Sequence, residues 1–374
     1  MNTQTYMQKL EEFAQRSHSS YAYIHSLLEE LKPMIPFAGA CCTNIDPYRL
    51  LSTGAVVEHN IESIHHQLLA YEYGHEDINH YDELVYSDHP VVTLHHITEG
   101  QPEQSSRYRD ILEPAGFGDE LRAALLYKGK CWGYLTLFRK KDQSLFSEQE
   151  CGVLSEIAPV IARHLRQFSL AIPFVNEIKL RSPGIMMFSE QLELLSSNSD
   201  TCHWLDVLRQ HEGITESVLP RPILAVASMA LADYTHTAKS SHQWEHPSTE
   251  NSPIQVCVPV RQHDYVHITA YGLYGKTTGI QLMIAIQSAS PLDILPWMME
   301  AYHLSEREQQ IVDQVIEGLS TRKIADILHI SPYTVQDHLK SIFSKTKTTS
   351  RRELIARLLS RTTCTEDNNI PLSL

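Results

Sequence analysis

At 374 residues the chain is long enough for two or three domains, each with its own core. Hydrophobic residues make up 42% and charged residues 20%, the balance of a soluble globular protein, and no apolar run nears the roughly 18 residues that span a bilayer. The net charge of −14 argues at first sight against a nucleic-acid partner. The opening "MNTQTYMQKLEEFAQ" lacks the basic-then-apolar layout of a secretory signal. The seven cysteines are scattered with no C-x-x-C pair, which fits neither a disulfide framework nor a zinc knuckle and points to a reducing cytoplasm.

An apolar-periodic pattern from Thr5 to Leu31 predicts a helix, ended by "KPMIPF". "FAGACCTNIDPYRLLSTGAVV" reads as strand, Asp46-Pro47 turn, strand. A histidine-rich mixed stretch runs on to Gly100, and "ELRAALLYKGKCWGYLTLFRK" is a hairpin about Lys128-Gly129-Lys130. Ser147-x-x-Glu150 is a capping box, opening a helix that carries Val153, Leu154, Ile157, Ala158, Ile161 and Leu165 on one face and ends near Gln167. This order predicts an antiparallel sheet with helices on one side. After a break at "LAIPFVNEIKLRSPG", "GIMMFSEQLELLSSN" predicts strand, turn, strand. Helices follow at "DTCHWLDVLRQ" and "PRPILAVASMALADY", then a polar loop from His236 to Ser252. "IQVCVPVRQ", "YVHITAYGL" and "GIQLMIAIQ" supply three more strands, again a sheet with short helices on one face, and "SASPLDILPWMMEAYH" connects to the last segment.

That segment is a local exception to the acidic balance. Leu304 to Arg361 carries ten Lys/Arg against seven Asp/Glu, a basic module on an acidic body. Screening over roughly 8–10 Å lets such a module touch phosphate regardless of distant charge. Ser305-Glu306-Arg307-Glu308 is a second capping box, opening a helix with Ile311, Val312, Val315 and Ile316 on one stripe and Gly318 as its left-handed stop. Ser320 caps a helix that contributes Ile324, Ala325 and Leu328. Ser331 and Pro332 then start a third, with Val335, Leu339, Ile342 and Phe343 inward. Its other face offers Tyr333, Thr334, Gln336, Asp337, Lys340, Ser344 and Lys345. A merely solvated face would be dominated by Glu and Lys. Amides, hydroxyls and lysines one or two turns apart suit base edges and phosphates. Two helices joined by a tight turn, the second polar outside, form a helix-turn-helix. The other reading is a helical bundle that docks on protein.

Leu304–Arg361 resembles the LuxR/GerE-type DNA-binding domain at Leu304, Arg307-Glu308, Gly318, Ile324-Ala325, Leu328, Ser331, Thr334-Val335, His338, Lys345, Ser350 and Arg351. Thr346 replaces the family's usual Leu, and Lys347 the Gly or Asn that tolerates a positive φ. The resemblance implies base reading by Gln336, Asp337 and Lys340, and phosphate contacts by Thr334, Lys345 and Arg351; Tyr333 and His338 lie on the same helix. Arg351 has the alternative of pairing with Glu308, and His338 that of a packed core histidine. Asp337 can accept only from cytosine or be repelled by phosphate. The fourth helix, "RRELIARLLS", resembles the family's dimer contact, with Leu354, Leu358 and Leu359 as candidates. The apolar stripe Leu154, Ile157, Ile161 of the long helix is a second candidate dimer surface.

Residues 20–168 resemble a GAF domain, on "DELRAALLYKGKCWGYLTLFR" and "FSEQECGVLSEIAPVIARHLR"; residues 175–290 resemble a PAS domain, on strand order and "PGIMMF". The expected fold class is α+β multidomain: two antiparallel-sheet sensor domains and an all-α, four-helix helix-turn-helix domain. The expected boundaries are 1–170 (GAF-like), 175–298 (PAS-like), 300–362 (helix-turn-helix) and 363–374 (flexible tail). The resemblances imply a cytoplasmic transcription regulator acting as a homodimer on double-stranded DNA, with RNA polymerase and a small-molecule effector as further partners and no membrane partner. The alternative is a ligand-binding interaction protein whose C-terminal bundle docks on another protein. Ala270-Tyr-Gly-Leu-Tyr-Gly275-Lys276-Thr277 fits a loose P-loop, but "GIQLMIAIQ" after it reads as a strand, so it is a hairpin turn and not an ATP site. Eight histidines between His59 and His96 lack ligand spacing and read as solvated loop residues. Cys41-Cys42 reads as inert strand packing. No metal site, cofactor site or nucleophile–base pair is evident, which predicts a non-enzyme.

Overall fold

Ser19 decides how the N-terminal apolar pattern folds. Its backbone is extended and its side chain accepts from Ala22 N, an N-cap that splits the single helix expected over Thr5–Leu31 into α1 (Thr3–Arg16) and α2 (Ser20–Leu31). The computed structural model describes residues 3–74, 77–170, 181–215, 218–240, 252–260, 265–275 and 279–359. The described residues up to Ser169 and from Arg181 to Ser288 form one unit; those from Ala289 onward belong to a second. The expected tail, 363–374, lies outside the described residues.

The first unit holds two sheets. β1 (Gly39–Ile45) and β2 (Ser52–Val57) are followed by α3 (His59–Gly74), α4 (Tyr81–Tyr86), β3 (Val91–Thr93), α5 (Leu94–Ile97), β4 (Phe117–Tyr127), β5 (Lys130–Lys140) and α6 (Glu148–Leu170). The strands pair antiparallel in the order β2-β1-β5-β4-β3. Lys128 and Gly129 both have positive φ, as a tight hairpin turn requires. β4 and β5 are buried almost throughout, so helices cover both faces of this sheet and not one as expected. On one face α6 sets Leu154, Ile157, Ile161 and Leu165 into the core; at Gly133 an added Cβ would lie 2.6 Å from Leu165 Cδ1, a close approach only glycine allows. The other face carries Tyr134, Thr136 and Phe138 towards α3 and α4. The histidine-rich stretch is therefore not a loop: it contains α3, whose His65 is buried, with Nε2 3.3 Å from Cys41 Sγ.

The second sheet comprises β6 (Gly184–Ser189) and β7 (Leu194–Ser197), then α7 (Thr201–Glu212), α8 (Arg221–Ser240), β8 (Ile254–Pro259), β9 (Tyr265–Gly275) and β10 (Gly279–Ser288). Its order, β7-β6-β10-β9-β8, repeats that of the first sheet. Gly279 pairs with Gly275 across the β9–β10 hairpin, so a strand follows the P-loop-like segment, whose residues 276–278 lie outside the described ones. β6 alternates buried and open positions, the pattern of a sheet covered on one face. Trp204, Leu208, Ile223 and Val226 fill that face over Met186, Phe188, Leu282 and Ile284, and Leu51 from the β1–β2 loop joins them. Arg221, 2% exposed, binds both Glu62 oxygens at 2.6 Å and stands 3.5 Å from Glu212. Leu51 and the Arg221 ion cluster thus tie the two sheets into one compact unit, while each sheet keeps core clusters of its own.

The second unit contains α9 (Pro291–Ala301), α10 (Glu306–Ile316), α11 (Thr321–Ile327), α12 (Pro332–Thr346) and α13 (Arg351–Leu359). Ser290 and Asp293 close a capping box on α9, a segment read from sequence as a connection. Leu295, Met298 and Met299 of α9 lie in one core with Leu304, Ile311, Val315, Ile324, Val335, Leu339, Ile342, Leu354 and Leu358. The boundary expected near 298–300 therefore moves to Ala289, and the all-α unit has a helix ahead of the expected four.

Candidate functional site

The helix-turn-helix is built by local chemistry. Ser320 caps α11, and His329 takes a left-handed conformation (φ 52) just past its end. Ser331 Oγ accepts from Thr334 N at 3.0 Å, and Pro332 starts α12. Val335, Leu339 and Ile342 turn into the core, which leaves Tyr333 (79% exposed), Thr334, Gln336, Asp337, Lys340, Ser344 and Lys345 at the surface; His338 is half-buried. Asp337 and Lys340 pair at 3.0 Å in the open, a contact worth about 0–1 kcal/mol that a competing phosphate or base edge displaces.

Two of the residues expected on phosphate are tied inside the unit. Lys345 Nζ donates to Glu308 Oε2 at 2.6 Å and to the His303 carbonyl at 3.0 Å. The other Glu308 oxygen accepts from Ser341 Oγ at 2.6 Å, and Oε2 also accepts from Ser305 N at 2.7 Å. Burial raises the Glu308 carboxyl, but its bonds from Lys345, Ser341 and Ser305 N outweigh it and hold the pKa at about 2. Arg351 donates to the Leu319 carbonyl at 2.5 Å and to Thr321 Oγ1 at 3.0 Å. Its partners are thus Leu319 in the α10–α11 loop and Thr321 at the start of α11, and not Glu308. Exposed Arg322 and Lys323, in the first turn of α11, are cations passed over in the sequence reading. Their signal was the "TRK" directly after the Ser320 cap.

The family departures at the end of α12 have a structural answer. Thr346 is fully buried and its hydroxyl donates to the Ile342 carbonyl at 2.8 Å. Lys347 adopts φ 51 and ψ 47 as the C-cap, so the helix ends where glycine would end it, at the cost of left-handed strain.

Five of the six expected dimer residues are covered within their own units. Leu354 and Leu358 are 0% and 2% exposed in the core of the second unit, and Leu359 is half-buried against it. Leu154, Ile157 and Ile161 are fully buried in the first unit. An apolar stripe is needed once, and here it closes each unit's own core.

Beneath β1, β4 and β5 the first unit holds a cavity of about 40 Å³, lined by Cys41, His65, Glu72, Tyr73, Arg107 and Arg122, among others. That space is roughly three waters' worth. Arg107 Nη2 donates to Glu120 at 2.7 Å, Arg122 Nη2 donates to Glu72, and the Arg122 guanidinium lies 3.8 Å over the Tyr81 ring, itself stacked on Tyr134. Burial raises the Glu72 carboxyl, yet Arg122, Arg107 and His80 together hold it below its ordinary value. Burial lowers His65 to about 3, with Arg221 and His66 adding to it, so the ring is neutral. The Cys41 thiol is pushed up to about 11 by burial, as inert strand packing implies. Among the described residues no group of three or more His, Cys, Asp or Glu is arranged to hold a metal ion, and no helix is long and apolar enough to cross a membrane.

Residues 302–358 match the family described as bacterial regulatory proteins, luxR family, and residues 19–165 match the GAF domain. A monoamine regulon transcriptional regulator of Klebsiella aerogenes is 46% identical over 54 residues, 14% of this chain and 24% of that protein. The chain thus spans about a quarter of the length of that curated relative. Among solved structures, Escherichia coli SdiA is 10% identical with a TM-score of 0.32, covering 95% of this chain and 96% of SdiA. The Vibrio cholerae VqmA dimer is 17% identical with a TM-score of 0.20, covering 48% of this chain and 83% of VqmA. Both structural likenesses are too low to establish a shared arrangement. The α10–α13 segment and the first sheet with its helices are another matter: this chain carries a domain of the luxR family of bacterial regulatory proteins at residues 302–358 and a GAF domain at residues 19–165.

Proposed function

We propose that the protein is a cytoplasmic, non-enzymatic, sequence-specific DNA-binding transcriptional regulator, and that its GAF domain controls the helix-turn-helix. The observation that carries this reading is the face of α12: within a luxR-family match, polar Thr334, Gln336, Asp337 and Lys340 stand exposed together on one helix behind a capped tight turn. Gln336 and Lys340 have the geometry to meet base edges in a major groove, with Tyr333, Thr334 and Asp337 beside them. Exposed Arg322 and Lys323 supply phosphate contacts beside Thr334 and Arg351, and Lys345 acts through α12 as its anchor to Glu308. The second sheet, which repeats the strand order of the first and is tied to it through Leu51 and Arg221, is read as a PAS-like module that relays the GAF state.

One helix-turn-helix module covers too few base pairs to single out an operator, so the active species is a homodimer on paired half-sites. Its contacts are surfaces other than the buried leucine and isoleucine stripes. RNA polymerase is the partner through which bound regulator would act. Genome-wide DNA occupancy of the full chain tests the reading. Discrete shared-motif sites that vanish in Gln336→Ala support it; no enrichment above input would overturn it in favour of a bundle that docks on protein.

A further inference from the structure

The GAF cavity contains charged groups whose hydrogen bonds are incomplete. Arg107 and Arg122 are 1% and 4% exposed and both line the cavity. Arg107 Nε and Nη1 and Arg122 Nε have no hydrogen-bond acceptor among the described residues; Arg107 Nη1 and Arg122 Nε only ion-pair, with Glu72 and Glu120, at 3.9 Å each. Buried guanidinium N–H groups left in this way ask for an acceptor atom. The charges around them, however, are already balanced: two guanidinium groups face two carboxylates, Glu72 and Glu120. Asp77, bonded to Arg107 N and Ser105, adds a further negative group nearby, and His65 opposite is neutral. An anionic ligand would bring an uncompensated charge into this buried space, which is costly. A neutral ligand would not.

The carboxylates also set the other half of the requirement. Glu72 and Glu120 line the same space, and a carboxylate that already accepts one bond per oxygen can still accept from a ligand N–H. Leu68, Leu69, Tyr73 and Phe138 form the apolar remainder of the wall. Building on the regulatory reading above, we propose that this cavity is the effector site and that it takes a compact, uncharged molecule with a carbonyl-type acceptor beside an N–H donor, an amide or lactam. The carbonyl meets the unpartnered arginine donors, the N–H meets a glutamate, and the apolar body lies against Leu68 and Phe138. At about 40 Å³ the cavity admits only a few non-hydrogen atoms without side-chain movement.

Two probes of the same size and shape separate the alternatives: propionamide, neutral with both groups, and propionate, charged and without the donor. They are titrated into the full chain, deuterated and labelled with 15N-arginine, while the arginine Nε–H signals are followed. Arg107→Lys and Arg122→Lys assign the signals, and the wild-type titration stands even where a variant folds poorly. The expected result is a saturable shift of both the Arg107 and Arg122 Nε–H signals with propionamide, and at least tenfold weaker binding of propionate. Equal or tighter propionate binding overturns the proposal, as does an absence of shifts with either probe, which marks a water-filled space. DNA affinity, measured with and without propionamide and in the cavity-filling variant Leu68→Trp, tests the regulatory reading separately. Propionamide bound with no effect on DNA affinity in either comparison leaves the ligand class standing and removes the effector role. A Leu68→Trp effect on DNA with no propionamide binding does the reverse.

Discussion

Replacing Glu308 with Gln should loosen the recognition helix by an amount that follows from its bonding. Three donors converge on the Glu308 carboxylate, from Lys345 at 2.6 Å, Ser341 at 2.6 Å and Ser305 N at 2.7 Å. Against the burial that raises it, they draw the pKa from its ordinary 4.5 to about 2. At roughly 1.4 kcal/mol per unit, that depression corresponds to about 3 kcal/mol of stability in the charged form. Lys345 is 36% exposed and its share is screened by water, so about 2 kcal/mol is expected from losing the charge. Because the folded pKa is depressed, this stability is fully present above the unfolded value near 4.5 and is lost as pH falls towards 2. Native-state hydrogen exchange on the full chain reads it directly: at pH 7, Glu308→Gln should speed exchange of α12 amides about thirtyfold, and the difference from wild type should shrink below pH 4. Adding Lys345→Met to Glu308→Gln should cost much less than the two single changes combined. Strict additivity, or unchanged α12 protection in Glu308→Gln, would refute the anchoring role.

Lys347→Gly should stabilise the second unit by about 0.5–1 kcal/mol, since it relieves the left-handed C-cap more than it adds unfolded-chain freedom; a lowered unfolding midpoint would contradict this. Leu354→Ala should cost roughly 2–5 kcal/mol in urea unfolding of the C-terminal helices; an altered oligomeric state at unchanged stability would restore it as a dimer contact. Arg221→Met should destabilise the first unit by roughly 1.5–3 kcal/mol, because it removes the charged hydrogen bonds to Glu62; proteolysis should then open both sheets together, and loss of the second sheet alone would contradict one compact unit. Light scattering of the full chain at micromolar concentration should give a dimer, against which a monomer would count directly.

What the sequence made legible was what neighbouring residues decide. Ser147, Ser305 and Ser331 each sit at the cap their spacing implied, and the alternation around Lys128-Gly129 gave the hairpin. Ser19 and the Ser290–Asp293 box carry the same kind of signal, which the apolar periodicity flanking Ser19 masks as one long helix and which the reading of "SASPLDILPWMMEAYH" as a connection leaves out. Partners far apart in the chain were not legible. Lys345 meets Glu308, and Arg351 meets Leu319, only once α10, α12 and α13 pack, so a family position reading as a phosphate contact turned out to be occupied within the unit. The same holds for the dimer stripes: periodicity shows that Leu354 or Ile157 seeks cover, and packing alone decides whose. The cavity charges, drawn from α3, β4 and the chain before β4, had no signature in spacing at all.

The measurement that tests the central claim most directly is the affinity of the full chain for an occupied genomic site and for random DNA across a salt series. Wild type should bind both with an affinity that falls steeply as salt rises, and the genomic site far more tightly. Gln336→Ala and Lys340→Ala should each weaken the genomic site by roughly 1–3 kcal/mol and random DNA much less. Salt-independent affinity, or equal losses on both DNAs, would contradict an α12 that reads sequence.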